Sequence, residues 1–256
     1  QLRTADPSAH KSWRTAFSGQ APEAEKRLRL MSETAKPDSP LPAAPITPGN
    51  KIPAIPADKK DWFKGREQEW GNFHKAIGKL PGISASESAA YMHIFAREGG
   101  MAKDKSGTAA SGIRQQTADR FLGKGDLKHI PVGTPPDQLP AQARASIYRK
   151  YMDEQFPKIG GHKVLSRIPD AKGAAALADG MFAVGHEKAA DALQKAMKSI
   201  DTNAPKDDGI FGSRSIAYYN KMLANPKKRD RLLNAVADEL TFKNPDWKRR
   251  FDALRP

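Results

Sequence analysis

The sequence contains no cysteine, which excludes disulfide bonds, thiol catalysis and cysteine-ligated metals. It also has no apolar run near the ~20 residues that a membrane-spanning helix needs, so we expect no membrane span. The six histidines never fall at a metal-ligand spacing, and we predict neither a metal nor another cofactor. With 256 residues, the chain can still bury a core that needs no covalent cross-link.

The charge of the chain is strongly one-sided. Lysine and arginine number 43 against 29 aspartates and glutamates, a net charge of +14. Such a field attracts polyanions, among them nucleic acid, anionic membranes and anionic cell-wall polymers. Basic runs occur at Lys227-Lys228-Arg229 and Lys248-Arg249-Arg250, but no recognised nucleic-acid module accompanies them. We therefore predict no nucleic-acid partner and interpret both runs as solvated helix faces.

Composition divides the chain into four parts. Seven prolines between residues 37 and 56 favour extended backbone and indicate a linker over residues 37–60. Residues 1–36 are too short for a core of their own, so they predict an arm that docks on another chain. We expect two helical regions, residues 61–170 and residues 171–256, that pack against each other.

From residue 61 onward the apolar residues follow a helical period, without the sustained alternation that marks strands. The sequence therefore predicts an all-α fold, with at most a small β-hairpin between residues 100 and 113. Residues 171–197 are rich in alanine and predict one or two helices, with Gly180 and Gly185 as close-approach or break points. The first apolar stripe comprises Trp62, Phe63, Trp70, Phe73 and Ile77.

Glu98 is the residue on which a catalytic interpretation depends. Ser84 and Glu87 have the spacing of a capping box, and the helix that they begin should end at Gly99-Gly100. Glu98 then lies in or beside the last turn, on the apolar face, where the helix dipole and the apolar setting both favour a protonated carboxyl. A general acid needs that form. The alternative is a solvated glutamate before a glycine stop.

Asp104 follows Glu98 by six residues in a flexible turn, so both carboxylates could face one cleft. Such a pair suits hydrolysis of a glycosidic bond. Three hydroxyls of the same turn are candidates for binding sugar or orienting water: Ser106, Thr108 and Ser111. The alternatives are an exposed aspartate between two lysines and hydroxyls that only stabilise their turn.

Taken together, these features resemble glycoside hydrolase family 108, bacterial and phage muramidases with a lysozyme-like helical domain and a small peptidoglycan-binding region. The family's Glu-Gly-Gly motif matches Glu98-Gly99-Gly100, and its loop aspartate matches Asp104. Further similar stretches, in the same order, are Tyr148 to Asp153, Asp179 to Gln194, Asp208 to Gly212, and Asn244-Pro245 with Trp247. The resemblance covers about residues 84–256.

The resemblance implies cleavage of the β-1,4 bond between N-acetylmuramic acid and N-acetylglucosamine, with Glu98 as general acid and Asp104 as second catalytic residue. It implies substrate binding by Ser106, Thr108, Ser111, Tyr148 and Asp179. Either water or, in a lytic transglycosylase, the sugar's own hydroxyl would complete the step. The expected partner is peptidoglycan, and the expected place is the cell envelope, reached by secretion or with a virion or secretion apparatus.

Two departures from the family keep a second interpretation open. Ala183 stands where the family has asparagine, and the family's glycine-rich stretch, with an aromatic residue before Gly-Ile, is Thr-Ala-Ala-Ser-Gly-Ile at residues 108–113. A catalytically inactive cell-wall-binding or structural module of a phage or secretion apparatus is therefore the alternative. Residues 1–60 have no counterpart in the family, and we expect them to bind a delivery apparatus, a larger assembly or an immunity protein.

Overall fold

The computed structural model describes residues 52–99, 109–155, 157 and 160–256. The predicted arm and most of the predicted linker lie outside these residues, as do Asp104, Ser106 and Thr108. The described part of the chain is mainly α-helical with one two-stranded sheet, which confirms the predicted all-α class. No helix in this part is long and apolar enough to cross a membrane.

The α-helices and strands, in chain order, are α1 (Glu67–Gly78), α2 (Ala85–Arg97), β1 (Ala109–Ala110), β2 (Ile113–Arg114), α3 (Gln115–Phe121), α4 (Ala141–Gln155), α5 (Lys163–Ser166), α6 (Ala171–Val184), α7 (His186–Ile200), α8 (Ser213–Leu223), α9 (Pro226–Lys243) and α10 (Lys248–Asp252). Short 3-10 helices are Ala57–Lys59, Gly125–Leu127, Pro136–Gln138 and Pro245–Trp247. The small sheet lies inside the predicted hairpin region, except that β2 extends one residue beyond it.

Helix α2 begins and ends as its sequence predicts. Ser84 is the N-cap, and its Oγ accepts a hydrogen bond from the Glu87 N–H at 3.1 Å. Glu98 is the C-cap, and Gly99 follows with a φ of 79°, a conformation that glycine adopts without strain. The Glu87 carboxylate is bound by Arg149 of α4 through two hydrogen bonds of 2.9 and 3.0 Å. This buried ion pair joins α2 to α4.

Four members of the predicted first stripe are core residues, namely Phe63, Trp70, Phe73 and Ile77. Phe73 stacks on Phe95 of α2 with ring centroids 4.0 Å apart, so the stripe joins α1 to α2. Trp62 differs, because its side chain is 50% exposed, although its neighbour Phe63 is fully buried. The helical spacing therefore placed one aromatic residue wrongly.

The alanine-rich segment forms two helices that separate at Gly185, where φ is 83°. Gly180 lies within α6, and a Cβ there would come within 3.1 Å of Leu240 and 3.2 Å of Ala189. Small side chains thus let α6 approach its neighbours closely. Helix α6 packs most extensively against α2. The two helical regions predicted on either side of residue 170 therefore contribute to the same core.

Two segments that carry the family resemblance meet beside α7. The Gln194 side chain donates to Asp208 Oδ1 at 2.9 Å and to the Ile210 carbonyl at 3.0 Å. Its Oε1 accepts from the Gly209 N–H at 3.0 Å. The Gln194 side chain is buried, with 1% exposure, so these hydrogen bonds attach the 208–210 turn to the protein interior.

The end of the predicted linker contacts the helices. The Trp70 indole N–H donates to the Pro53 carbonyl at 2.7 Å. Arg97, at the end of α2, forms a two-point ion pair with Asp58, including a contact of 3.1 Å from Nη2 to Oδ1. Residues 53–58 are therefore attached to the helical region rather than extended away from it.

Candidate active site

Glu98 lies where α2, the hairpin turn and α10 meet. Its side chain is 19% exposed, and its Oε1 accepts a hydrogen bond from Nη1 of Arg250. On another side is the backbone of Gly112, where an added Cβ would lie 2.6 Å from Glu98 Cγ and 2.8 Å from Oε2. The carboxylate is thus held between a guanidinium and a backbone turn, while part of it remains accessible. The sequence predicted an apolar surrounding and did not anticipate the cation.

The hairpin turn that contacts Glu98 has an unusual backbone. Strands β1 and β2 pair antiparallel, with Ala110 opposite Ile113. The two residues between them both have positive φ, 54° at Ser111 and 69° at Gly112. Such a conformation is typical of tight two-residue hairpin turns, and it is strained for a residue other than glycine. Other contacts must therefore hold Ser111 in place.

Those contacts come from two side chains of α4, Arg144 and Tyr148, which lie four residues apart on one helix face. The Tyr148 hydroxyl donates to the Ser111 carbonyl at 2.6 Å. Arg144 donates through Nη1 to Ser111 Oγ at 2.5 Å and through Nε to the Leu139 carbonyl at 2.9 Å. Both α4 side chains are fully buried. They fix the turn and, through Gly112, the space that Glu98 occupies.

The protonation of Tyr148 suits this role. Burial raises the pKa of its hydroxyl well above the usual value, and the negative charge of Glu98 raises that pKa further. The hydroxyl therefore remains a hydrogen-bond donor to Ser111 over the whole physiological range of pH.

Arg250 connects Glu98 to a second, fully buried carboxylate. Its Nε donates to Asp179 Oδ1 at 2.7 Å, and its Nη2 lies 2.5 Å from the same oxygen. Nε2 of His93 lies 3.4 Å from Asp179 Oδ2. The guanidinium also lies over the Trp247 ring, 4.6 Å from its centroid. A chain of charged and polar groups thus runs from Glu98 through Arg250 and Asp179 to His93.

The opposite charges of Asp179 and Arg250 stabilise each other's ionised forms. Burial alone would raise the pKa of Asp179, but the charges of Arg250 and His93 lower it to about 2. Burial similarly opposes the charge on Arg250, but the carboxylates of Asp179 and Glu98 raise its pKa above the usual value. Asp179 and Arg250 are therefore both ionised at neutral pH, and Arg250 is shared between two carboxylates.

The structure changes the role of three residues predicted to bind substrate. Ser111, Tyr148 and Asp179 are all 0% exposed, so their side chains are not available for direct contact with a ligand. Ser111 and Tyr148 bind each other beneath the hairpin, and Asp179 reaches Glu98 only through Arg250. We therefore assign these three residues to holding Glu98 and its turn. The other predicted residues, Asp104, Ser106 and Thr108, lie outside the described part of the chain.

Sequence patterns do not identify four residues as parts of this site: Arg250, His93, Arg144 and Gly112. One signal points to a cationic partner such as Arg250, because Asp179 is the only acidic residue of the alanine-rich helix α6. A buried carboxylate in such a position requires a cationic partner. Arg250 was instead grouped with a basic run interpreted as solvated, and its side chain is only 10% exposed.

Two open cavities lie away from Glu98. One open cavity of about 600 Å³ is lined by residues 221 and 224–227, and another of about 430 Å³ lies beside Arg120 and Lys150. Neither cavity includes Glu98. Among the residues that the structure describes, no group of three or more histidines and carboxylates could hold a metal ion.

Replacing Gly112 with alanine tests the contact with Glu98. Gly82 is a matched control, because its φ of 62° is similar to the 69° of Gly112 but no atom lies within 4 Å of an added Cβ. Gly82→Ala should lower the free energy of unfolding by about 1 kcal/mol through backbone strain alone. Gly112→Ala should cost about 1–3 kcal/mol more, since its methyl group overpacks the site. Urea unfolding of both variants measures the difference, and equal losses would contradict the contact.

The pKa of Asp179 predicts how stability depends on pH. Since its folded pKa of about 2 is below the ordinary aspartate value of 3.8, its ionised form stabilises the native state above about pH 4. That contribution, about 2 kcal/mol, is lost as the pH falls from 4 to 2. Urea unfolding at several pH values should show a shallower loss in Asp179→Asn than in the parent. Asp61→Asn, at an exposed position, should keep the parent's slope, and an unchanged slope in Asp179→Asn would refute the assignment.

Comparison of the chain with protein-family models, with curated protein sequences and with solved structures finds no match. The functional argument therefore depends on the residues and geometry of this site.

Proposed function

We propose that this protein is a peptidoglycan hydrolase of the muramidase type, which cleaves the β-1,4 bond between N-acetylmuramic acid and N-acetylglucosamine. The observation that carries the proposal is the position of Glu98. Its carboxylate is partly buried at the end of α2, held between Arg250 and the Ser111-Gly112 turn, and still 19% exposed. A fixed, partly desolvated carboxyl that substrate can reach is suited to general acid catalysis.

In this mechanism the protonated Glu98 donates its proton to the bridging oxygen of the glycan. Arg250 donates to Oε1, so Oε2, on the side of Gly112, is the oxygen through which a proton would be transferred. The bond between the sugar carbon and the bridging oxygen breaks, and positive charge develops on the sugar ring. Arg250 stabilises the Glu98 carboxylate left by the transfer. A water molecule, or the sugar's own hydroxyl in a lytic transglycosylase, then bonds to the ring carbon and gives its proton to a carboxylate, either the deprotonated Glu98 or Asp104, which we propose as the second carboxylate.

Charge and sequence support the same substrate. The net charge of +14 would hold the protein near the anionic polymers of a bacterial cell wall. The ordered similarity to glycoside hydrolase family 108 over about residues 84–256 includes Glu98 itself. The proposal places the activity in the cell envelope, with residues 1–60 available for a delivery apparatus or an immunity protein.

Purified sacculi with a covalently attached dye test this proposal. The protein should bind the sacculi and release soluble dye-labelled fragments in a time-dependent manner. Sedimentation with the sacculi but no release would favour the inactive cell-wall-binding module instead. Neither binding nor release would reject both, and binding to DNA would then be the next measurement, with its salt dependence.

A further inference from the structure

Trp62 is an exposed aromatic side chain directly beside the candidate active site. Half of its surface is accessible to solvent, although most large apolar side chains of the described residues are buried. Its indole N–H donates to the carbonyl of Gly99 at 3.0 Å, and Gly99 is the residue after Glu98. Single exposed apolar residues are common on protein surfaces, so exposure alone does not indicate a function. The position of the ring next to Glu98 does.

The ring of Trp62 is also fixed in orientation. A Cβ at Gly99 would lie 3.0 Å from Cζ2 of the indole, so the edge of the ring packs on the Gly99 backbone. The Arg66 guanidinium lies 5.7 Å from the ring centroid, and its Nη2 donates to the same Gly99 carbonyl at 3.4 Å. Arg66 is itself held by a two-point ion pair with Glu69 at 2.7 and 2.9 Å. A ligand that contacts this ring therefore pays little entropy to order it.

We propose that Trp62 is a binding platform for a sugar ring of the glycan strand, next to the bond that Glu98 acts on. The proposal rests on the proposed function, and it extends the site to a segment that the family resemblance does not cover. In N-acetylglucosamine and N-acetylmuramic acid, the axial C–H groups form an apolar face on the pyranose ring. That face packs against an indole through apolar burial and C–H contacts with the π system.

The arrangement explains why a large apolar surface remains exposed at this place. Glu98 and Trp62 are connected through one residue, Gly99, whose φ of 79° and close approach to the indole both require glycine. A glycan strand that places its bridging oxygen at Glu98 therefore has a neighbouring sugar within reach of Trp62. The same geometry would align the strand along the site.

Binding of a soluble tetramer of N-acetylglucosamine tests the platform without turnover. The full chain carrying Glu98→Gln serves as the parent, with calorimetry as the measurement. Adding Trp62→Ala should weaken binding by roughly tenfold, the loss expected for one stacking contact. Trp62→Phe should retain most of the affinity, because a ring remains. Phe242→Ala removes an aromatic side chain that is 78% exposed on α9 and should leave affinity unchanged.

Indole fluorescence provides a second readout, since the tetramer should change the emission of the parent more than that of its Trp62→Phe derivative, which retains Trp247 beside Arg250. Equal affinity in the parent and Trp62→Ala would overturn the platform, and so would an equal loss in Trp62→Ala and Trp62→Phe, or no binding to the parent at all. The same experiments distinguish failure of the platform from failure of the proposed function. Binding that depends on Trp62, together with no release from sacculi by the unsubstituted protein, would keep the platform and reject the hydrolase.

Discussion

Replacement of Glu98 by glutamine is expected to slow glycan cleavage by about 10²- to 10⁴-fold, the usual contribution of a general acid. Glutamine has nearly the same shape but carries no transferable acidic proton. Its amide oxygen can still accept from Arg250, which keeps Asp179 as a partner, so the variant should fold. The initial rate of fragment release from dye-labelled sacculi measures the effect, and the native unfolding transition confirms that the variant is folded.

A matched substitution separates the acid from a general loss of negative charge. Glu187 lies in the first turn of α7, and its side chain is 82% exposed. Glu187→Gln changes the net charge by the same amount as Glu98→Gln and should leave the rate unchanged. If both variants cleave as fast as the parent, Glu98 is not the proton donor.

The second large effect is on stability. Asp179→Ala is expected to lower the free energy of unfolding by about 3–5 kcal/mol, because it leaves the buried Arg250 without its fully buried carboxylate partner. Arg250 is 10% exposed and Asp179 is 0% exposed, so water cannot replace the lost contact. Urea unfolding at neutral pH measures this loss. The variant should also cleave more slowly, since Arg250 no longer holds Glu98 in one position.

A double variant tests whether the loss comes from the unpaired cation. Arg250→Met in the Asp179→Ala background removes the buried charge and keeps an apolar side chain of similar length. This double variant should be more stable than Asp179→Ala alone, because removal of both partners costs less than removal of one. Additive losses would show that the two residues do not depend on each other.

Sequence patterns predicted the parts of the fold that depend on neighbouring residues. The two ends of α2, at Ser84 and Glu98, could be predicted because helix capping and termination by glycine depend on residues within one helical turn. Gly185 separates α6 from α7 for a similar local reason. The helical period does not describe Trp62, which lies with Phe63 in the turn before α1: Phe63 is buried in the core and Trp62 is half exposed.

The site could be predicted only in part, because its contacts join distant segments. Glu98 was identified from its own helix, but its partner Arg250 lies 152 positions along the chain. Periodicity carries no information about such a pair. Asp179 and Tyr148 were identified as important through the resemblance, which does not distinguish contact with a ligand from support of the site. Burial makes that distinction, since both side chains are fully buried.

The central claim is that Glu98 delivers the proton that breaks the glycan. Mass spectrometry of the muropeptides released from purified sacculi tests it most directly, with the parent protein and Glu98→Gln digested side by side for the same time. The parent should release fragments ending in N-acetylmuramic acid, in reducing form for a hydrolase, and Glu98→Gln should release no such fragments. Equal amounts of these fragments from both proteins, or none from the parent, would contradict it.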